Sequence, residues 1–255
     1  MLEIKGVTKY FGGLAAVSNL DMNVNEGEIL GLIGPNGAGK TTVFNLITGS
    51  IRPTKGQIVF DQSDITGQKP HTIAEKGIVR TFQLTAFLQD MTVLQNVLVS
   101  CHLSPKAGVL EAILNIPSYR KKEQYACDHA MDILQFLGLD SVKDELAQNL
   151  PHGHQRLLGI AMALSVNPKL LLLDEPLAGM NAAEVRESLT FINKIRSAGT
   201  TVLLVEHNMR AVMELCDRIV VINFGCKIAE GMPDEIKRNK DVVEAYLGAG
   251  EHVTC

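Results

Sequence analysis

Nine consecutive residues, Gly34-Pro35-Asn36-Gly37-Ala38-Gly39-Lys40-Thr41-Thr42, have the types and spacing needed to grip a polyphosphate. They satisfy the pattern G-x-x-x-x-G-K-[ST]. Glu28 to Ile33 ahead of them reads as a buried strand. Lys40 to Thr48 behind them reads as a helix, with Val43, Leu46 and Ile47 on one side and Gly49 as its stop. Lacking Cβ atoms, Gly34, Gly37 and Gly39 let the main chain wrap a chain of phosphates and turn several N–H groups inward. The helix N-terminus adds partial positive charge. In this reading Lys40 sets its ammonium on the outer phosphates, the Thr41 hydroxyl ligates Mg²⁺, and Pro35, Asn36, Ala38 and Thr42 complete the lining.

A second group of residues suits the same chemistry. Leu170 to Leu173 form an apolar run that delivers Asp174 and Glu175 to the carboxyl end of a strand, where open parallel sheets bind ligands. Neighbouring strand residues face opposite ways, so the two acids suit two tasks. Asp174 is expected to hold Mg²⁺, through water, and Glu175 to polarise an attacking water. Gln83, after Arg80-Thr81-Phe82, has an uncharged amide able to reach both metal and water. His207, two residues past Val205, is expected to touch the terminal phosphate from its own sheet edge. Phe11 is a candidate for stacking on a base. Taken singly, a glutamine, a histidine and a phenylalanine at such places are ordinary surface or packing residues; their order along the chain gives them weight.

The elements that must position these groups are strands alternating with helices, which implies a mainly parallel sheet. Residues 1 to about 32 read as short strands with turns at Gly12-Gly13 and Glu26-Gly27, and Gly56 to Asp61 as another strand. Between about 90 and 157 helical spacing takes over, as in Tyr125, Met131, Ile133, Leu134 and Leu137, interrupted by Pro105, Gly108 and Pro117. The α/β pattern then returns: a helix from Asn181 to Ala198, strands at Thr201 to Val205 and Ile219 to Ile222, and a helix from Met209 to Cys216. The chain has 255 residues, 46% of them hydrophobic, enough for a full core. A net charge of −4 argues against nucleic acid as a partner. No apolar run reaches the ~18 residues of a membrane span. Met1 to Lys5 alternates as a strand and is not read as a signal peptide. The five cysteines form no C-x-x-C pair and read as reduced thiols.

In this order the motifs resemble the nucleotide-binding subunit of ABC transporters, through nearly the whole chain. The resemblance makes Gly34 to Thr41 the Walker A motif, Leu170 to Asp174 Walker B with catalytic Glu175, Gln83 the Q-loop, His207 the switch histidine and Phe11 the A-loop aromatic. It places the signature motif at Leu150-Pro151-His152-Gly153-His154-Gln155-Arg156, with His152, Gly153, His154 and Gln155 as nucleotide contacts. Two positions depart from the family pattern. Pro151 replaces a serine, removing a hydroxyl and a backbone donor. Asn181, in Ala178-Gly179-Met180-Asn181, replaces an aspartate, though with Glu184 it can form a helix capping box. The finer resemblance is to ATP-binding subunits of branched-chain amino-acid uptake systems, carried by Phe11 to Val17, Val79 to Gln83, Ala178 to Asn181, Val242 to Gly248 and an insertion around Pro105 to Arg120.

The resemblance implies an α/β fold: a P-loop NTPase, RecA-like core with an antiparallel β subdomain and an inserted α-helical subdomain. It implies one ATP-binding domain over 1–255, with residues 1–83 and 158–255 as the nucleotide-binding core and 84–157 as the helical subdomain. ATP and Mg²⁺ are the implied cofactors. The implied partners are membrane permease subunits, a second cassette of the same or another chain, and indirectly a periplasmic solute-binding protein. The implied location is the cytoplasmic face of the bacterial inner membrane. Cassettes for lipopolysaccharide export, cassettes for urea or amide uptake, a soluble ATP-driven switch and a nucleotide-binding module without turnover remain open at this point.

Overall fold

A computed structural model describes residues 1–81, 87–102 and 117–247. The chain divides into two compact units. The first comprises Met1–Arg80, Lys169–Pro176 and the described residues from Ile192 onward; the second takes the described residues of Thr81–Pro168 and Leu177–Phe191.

The first unit contains two sheets. Strands β1 (Leu2–Phe11), β2 (Leu14–Val24), β4 (Lys55–Phe60) and β5 (Ser63–Asp64) form an antiparallel sheet in the order β2-β1-β4-β5. The alternating start of the chain thus becomes two strands of 10 and 11 residues. The other sheet combines β3 (Ile29–Ile33), β6 (Ile78–Arg80), β7 (Leu170–Asp174), β8 (Thr201–Val205), β9 (Arg218–Asn223) and β10 (Cys226–Gly231) in the order β10-β9-β3-β8-β7-β6. All neighbours are parallel except β10 and β9. Every residue of β3, β7 and β8 is buried, which is why these strands read as unbroken apolar runs. Helix α1 (Lys40–Ile47) adds Val43, Phe44, Leu46 and Ile47 to one core shared with Leu2, Ile58 and Phe60 of the antiparallel sheet and Leu30, Leu32 and Leu203 of the parallel one. Helix α2 (Pro70–Glu75) and the three-residue β6 were not anticipated; both are too short to show a period.

The second unit is helical, with α3 (Val93–His102), α4 (Pro117–Phe136) and α5 (His152–Leu164). Val93, Val97, Ala130, Leu134, Leu137, Leu158 and Ala161 are buried there. Asn96 is fully buried and organises the turn before α3: its amide oxygen accepts from Leu88 N, and its NH₂ donates to the carbonyls of Leu88, Met91 and Thr92. Tyr125 breaks the expected spacing. It is 71% exposed and stacks on His129, off the face that Ala130, Ile133 and Leu134 bury. Helix α6 (Ala182–Ser197) is counted with the second unit up to Phe191 and with the first from Ile192; α7 (Met209–Leu215), α8 (Pro233–Arg238) and α9 (Lys240–Leu247) belong to the first. Cys101, Cys127 and Cys216 are free thiols.

Candidate functional site

Four parallel strands, β3, β8, β7 and β6, stand side by side in that order, so their carboxyl ends share one side of the sheet. Each end carries polar or charged groups. The phosphate loop follows β3, Glu206 and His207 follow β8, Asp174 closes β7 with Glu175 just after it, and Arg80 closes β6. The expectation that His207 comes from a sheet edge is corrected: β8 lies inside the sheet, between β3 and β7.

The loop has a shape that requires glycine. Gly34, Gly37 and Gly39 have φ values of 156°, 80° and 105°. A Cβ on Gly39 would stand 2.5 Å from the Ala16 carbonyl oxygen, and one on Gly34 only 2.1 Å from that of Ile222. The loop is thereby pressed between β2 and β9, and Gly225 N–H donates to Ala38 O at 2.9 Å. Lys40 is buried, its ammonium curled back to donate to Gly34 O (2.7 Å) and Pro35 O (2.9 Å). Burial pushes its pKa below the ordinary lysine value, against the opposing pull of Glu175 and Asp174. Thr41, Asn36 and Gly37 are exposed. Phe11 ends β1 at the β1–β2 hairpin with half its surface exposed, and the Lys9 ammonium lies 5.2 Å from its ring centre.

The acid pair divides, but not by the expected strand alternation: Asp174 is the last residue of β7, and Glu175 lies past its end. The Asp174 side chain is 5% exposed and pairs with the Arg80 guanidinium at 2.5 Å. Glu175 is 42% exposed, with its carboxylate 3.7 Å from His207 Nδ1, which is an ion-pair distance rather than a hydrogen bond. Its backbone has φ 49°, a left-handed conformation that costs a non-glycine residue about 1–2 kcal/mol. The hydrogen bond from Glu175 N–H to Val205 O, 2.9 Å, holds it there. Glu206, 1% exposed, accepts from the N–H groups of His207 (3.0 Å) and Asn208 (3.2 Å), so a buried carboxylate braces the backbone that carries His207. Asn208 then caps α7 by accepting from Ala211 N. Neither Arg80 nor Glu206 stood out as a site residue in the sequence. A charged residue ending a buried strand beside the chemistry was the available signal.

The groups expected to face a metal, the Thr41 hydroxyl and the Asp174 carboxylate, carry hard oxygens of the kind Mg²⁺ prefers. A cation, the Arg80 guanidinium, already stands on Asp174. The residues present therefore fit a divalent ion. Gln83 lies outside the described residues.

The signature stretch begins α5 in the second unit. Pro151 occupies the cap position, one place earlier than the first helical turn, without a side-chain cap bond. His152 is exposed, while Gly153 is buried: a Cβ there would come 3.1 Å from Glu184 Oε1, a tight contact that the glutamate side chain would have to yield. Glu184 also closes a capping box, accepting from Asn181 N (2.8 Å) while Asn181 Oδ1 accepts from Ala183 N and Glu184 N. Asn181 therefore does the capping work open to an aspartate, without the charge. Gln155 is turned back onto the Leu150 carbonyl at 3.0 Å. His154 Nδ1 and Arg156 Nε are buried without a hydrogen-bond partner.

Two family matches cover different parts of the chain. Residues 17–178 match the ABC transporter family, and residues 226–252 match the branched-chain amino acid ATP-binding cassette transporter family. Among curated proteins, the chain is 43% identical over 249 residues to the high-affinity branched-chain amino acid transport ATP-binding protein LivG of Escherichia coli K12. It is equally similar to BraF of Pseudomonas aeruginosa. Each match covers 97% of this chain and 98% of the relative. A probable LivG of Archaeoglobus fulgidus is 40% identical over 251 residues, covering 98% of this chain and 96% of that one. Among solved structures, a nucleotide-free ATP-binding cassette from an ABC transporter superposes with a TM-score of 0.85 at 34% identity, covering 98% and 99% of the two chains. A cassette in its ADP conformation gives 0.86 at 33% identity, with the same coverage.

Proposed function

The chain belongs to the ABC transporter family, and from that membership we propose that it is the ATP-hydrolysing subunit that drives uptake of branched-chain amino acids. One observation carries the substrate class: the match to the branched-chain cassette family over residues 226–252, joined to near full-length similarity to LivG and BraF.

The residues divide the work as follows. The loop Gly34 to Thr42 would receive the triphosphate on its N–H groups, and Lys40 would exchange the carbonyls of Gly34 and Pro35 for phosphate oxygens. Phe11, half-exposed on its hairpin, would stack on adenine. Water attacks the γ-phosphorus, the bond to the ADP oxygen breaks, and the water's proton passes toward Glu175. His207, beside Glu175 and braced by Glu206, would orient the terminal phosphate. Thr41 and Asp174, with Gln83, would hold Mg²⁺, which when bound neutralises charge building on the phosphates. His152, Gly153, His154 and Gln155 would contact nucleotide held by a second cassette, identical or not.

Among the described residues no helix is long and apolar enough to cross a membrane. The subunit would therefore act peripherally, bound to separate permease subunits at the cytoplasmic face of the inner membrane and supplied indirectly by a periplasmic binding protein. The test is uptake of radiolabelled leucine in cells deleted for this chain. Uptake should fall and be restored by the wild type but not by Glu175→Gln. Undiminished leucine uptake, with loss of a different solute, would refute the substrate class.

A further inference from the structure

Arg80 makes contacts that the hydrolytic scheme does not use. It ends β6, paired in parallel register with Leu172, two residues before Asp174. One guanidinium nitrogen donates to Asp174 Oδ2 at 2.5 Å, and the other to Asn45 Oδ1 of α1 at 2.6 Å. The guanidinium carbon lies 5.5 Å from the ring centre of Phe44. The side chains of Arg80 and Asp174 are 19% and 5% exposed, so water screens the pair little. A planar fork thus ties β6, β7 and the helix of the phosphate loop together, a geometry that a lysine point charge does not reproduce.

We propose that Arg80 is a resident counter-cation for Asp174 that opposes binding of a divalent metal to the nucleotide-free site, so that the metal enters with its polyphosphate. The proposal rests on Asp174 being a metal-side carboxylate. The guanidinium sets a positive charge against this buried carboxylate before any ligand arrives. A divalent ion approaching the same oxygen meets that positive charge a few ångströms away. A polyphosphate brings negative charge enough to reverse the balance. Asn45 gives the guanidinium a second seat when Asp174 turns to the metal. Arg80 is a positioning residue in this account, acting through Asp174 rather than on the phosphates.

The experiment is titration of the full-length protein with Mn²⁺, free ion being read by electron paramagnetic resonance, with and without ADP. Without nucleotide, Arg80→Met and Arg80→Gln should each bind Mn²⁺ roughly tenfold or more tightly than the wild type, whereas Arg80→Lys, which keeps the charge, should stay close to it. Arg80→Gln keeps a polar bridge and serves if the methionine variant does not fold. Adding Asp174→Asn should erase the gain. Folded neutral variants with wild-type Mn²⁺ affinity, or a gain in Arg80→Lys equal to that in Arg80→Gln, overturn the role of Arg80. An Asp174→Asn protein whose Mn²⁺ affinity with ADP is unchanged instead overturns the metal assignment itself.

Discussion

The strained backbone at Glu175 allows a stability test that the catalytic assignment alone would not suggest. Its φ of 49° places a Cβ-bearing residue in the left-handed region, at a cost of about 1–2 kcal/mol. Substituting alanine and glycine removes the same carboxylate and the same 3.7 Å approach to His207, an exposed pair worth roughly 0–1 kcal/mol. The difference between the two variants therefore isolates the backbone. Alanine keeps the strain. Glycine relieves it but gains freedom in the unfolded chain, which offsets about 0.5–1 kcal/mol. Glu175→Gly should thus be the more stable by up to roughly 1.5 kcal/mol, or up to about 6 °C in Tm for a chain of this size. Thermal unfolding of both variants without nucleotide measures it. An alanine variant more stable than the glycine variant would show that any strain there is smaller than the glycine offset of about 0.5–1 kcal/mol.

Two further outcomes follow from buried groups. Lys40→Ala should weaken ATP binding by roughly tenfold or more, the usual worth of charge-assisted hydrogen bonds to phosphate; an unchanged Kd by calorimetry would contradict the loop assignment. Burial raises the Cys216 thiol from 9.0 to about 12. A folded pKa above the unfolded one leaves stability intact below about pH 9 and erodes it as pH climbs toward 12. The stability advantage of the wild type over Cys216→Ala should therefore shrink by up to about 1.4 kcal/mol per pH unit above pH 9. Urea unfolding at pH 8 and pH 10 with an unchanged difference would refute the shift.

What the sequence revealed follows the range of the interactions. The phosphate loop was legible because strand, glycines, lysine and helix are contiguous, and each is required by local backbone geometry. Asp174 and Glu175 were legible because an apolar run points to a buried strand and its end is where ligands bind. The capping box of Asn181 and Glu184 spans three residues and was read correctly. Arg80 was not recognised, because its partners Asn45 and Asp174 are 35 and 94 residues away and only the parallel pairing of β6 and β7 brings them together. His207 was placed on an edge because strand order does not follow chain order: β8 inserts between β3 and β7. Tyr125 matches the helical spacing, and an aromatic at that position looks like core, yet α4 leaves it in solvent.

Phosphate release by Glu175→Gln under saturating ATP bears most directly on the account. The variant keeps the loop, Lys40 and the left-handed backbone while removing the base. It should bind ATP with the wild-type Kd and release phosphate at least ~100-fold more slowly. Phosphate released at the wild-type rate would contradict the assignment of Glu175 and, with it, the mechanism built on this sheet end.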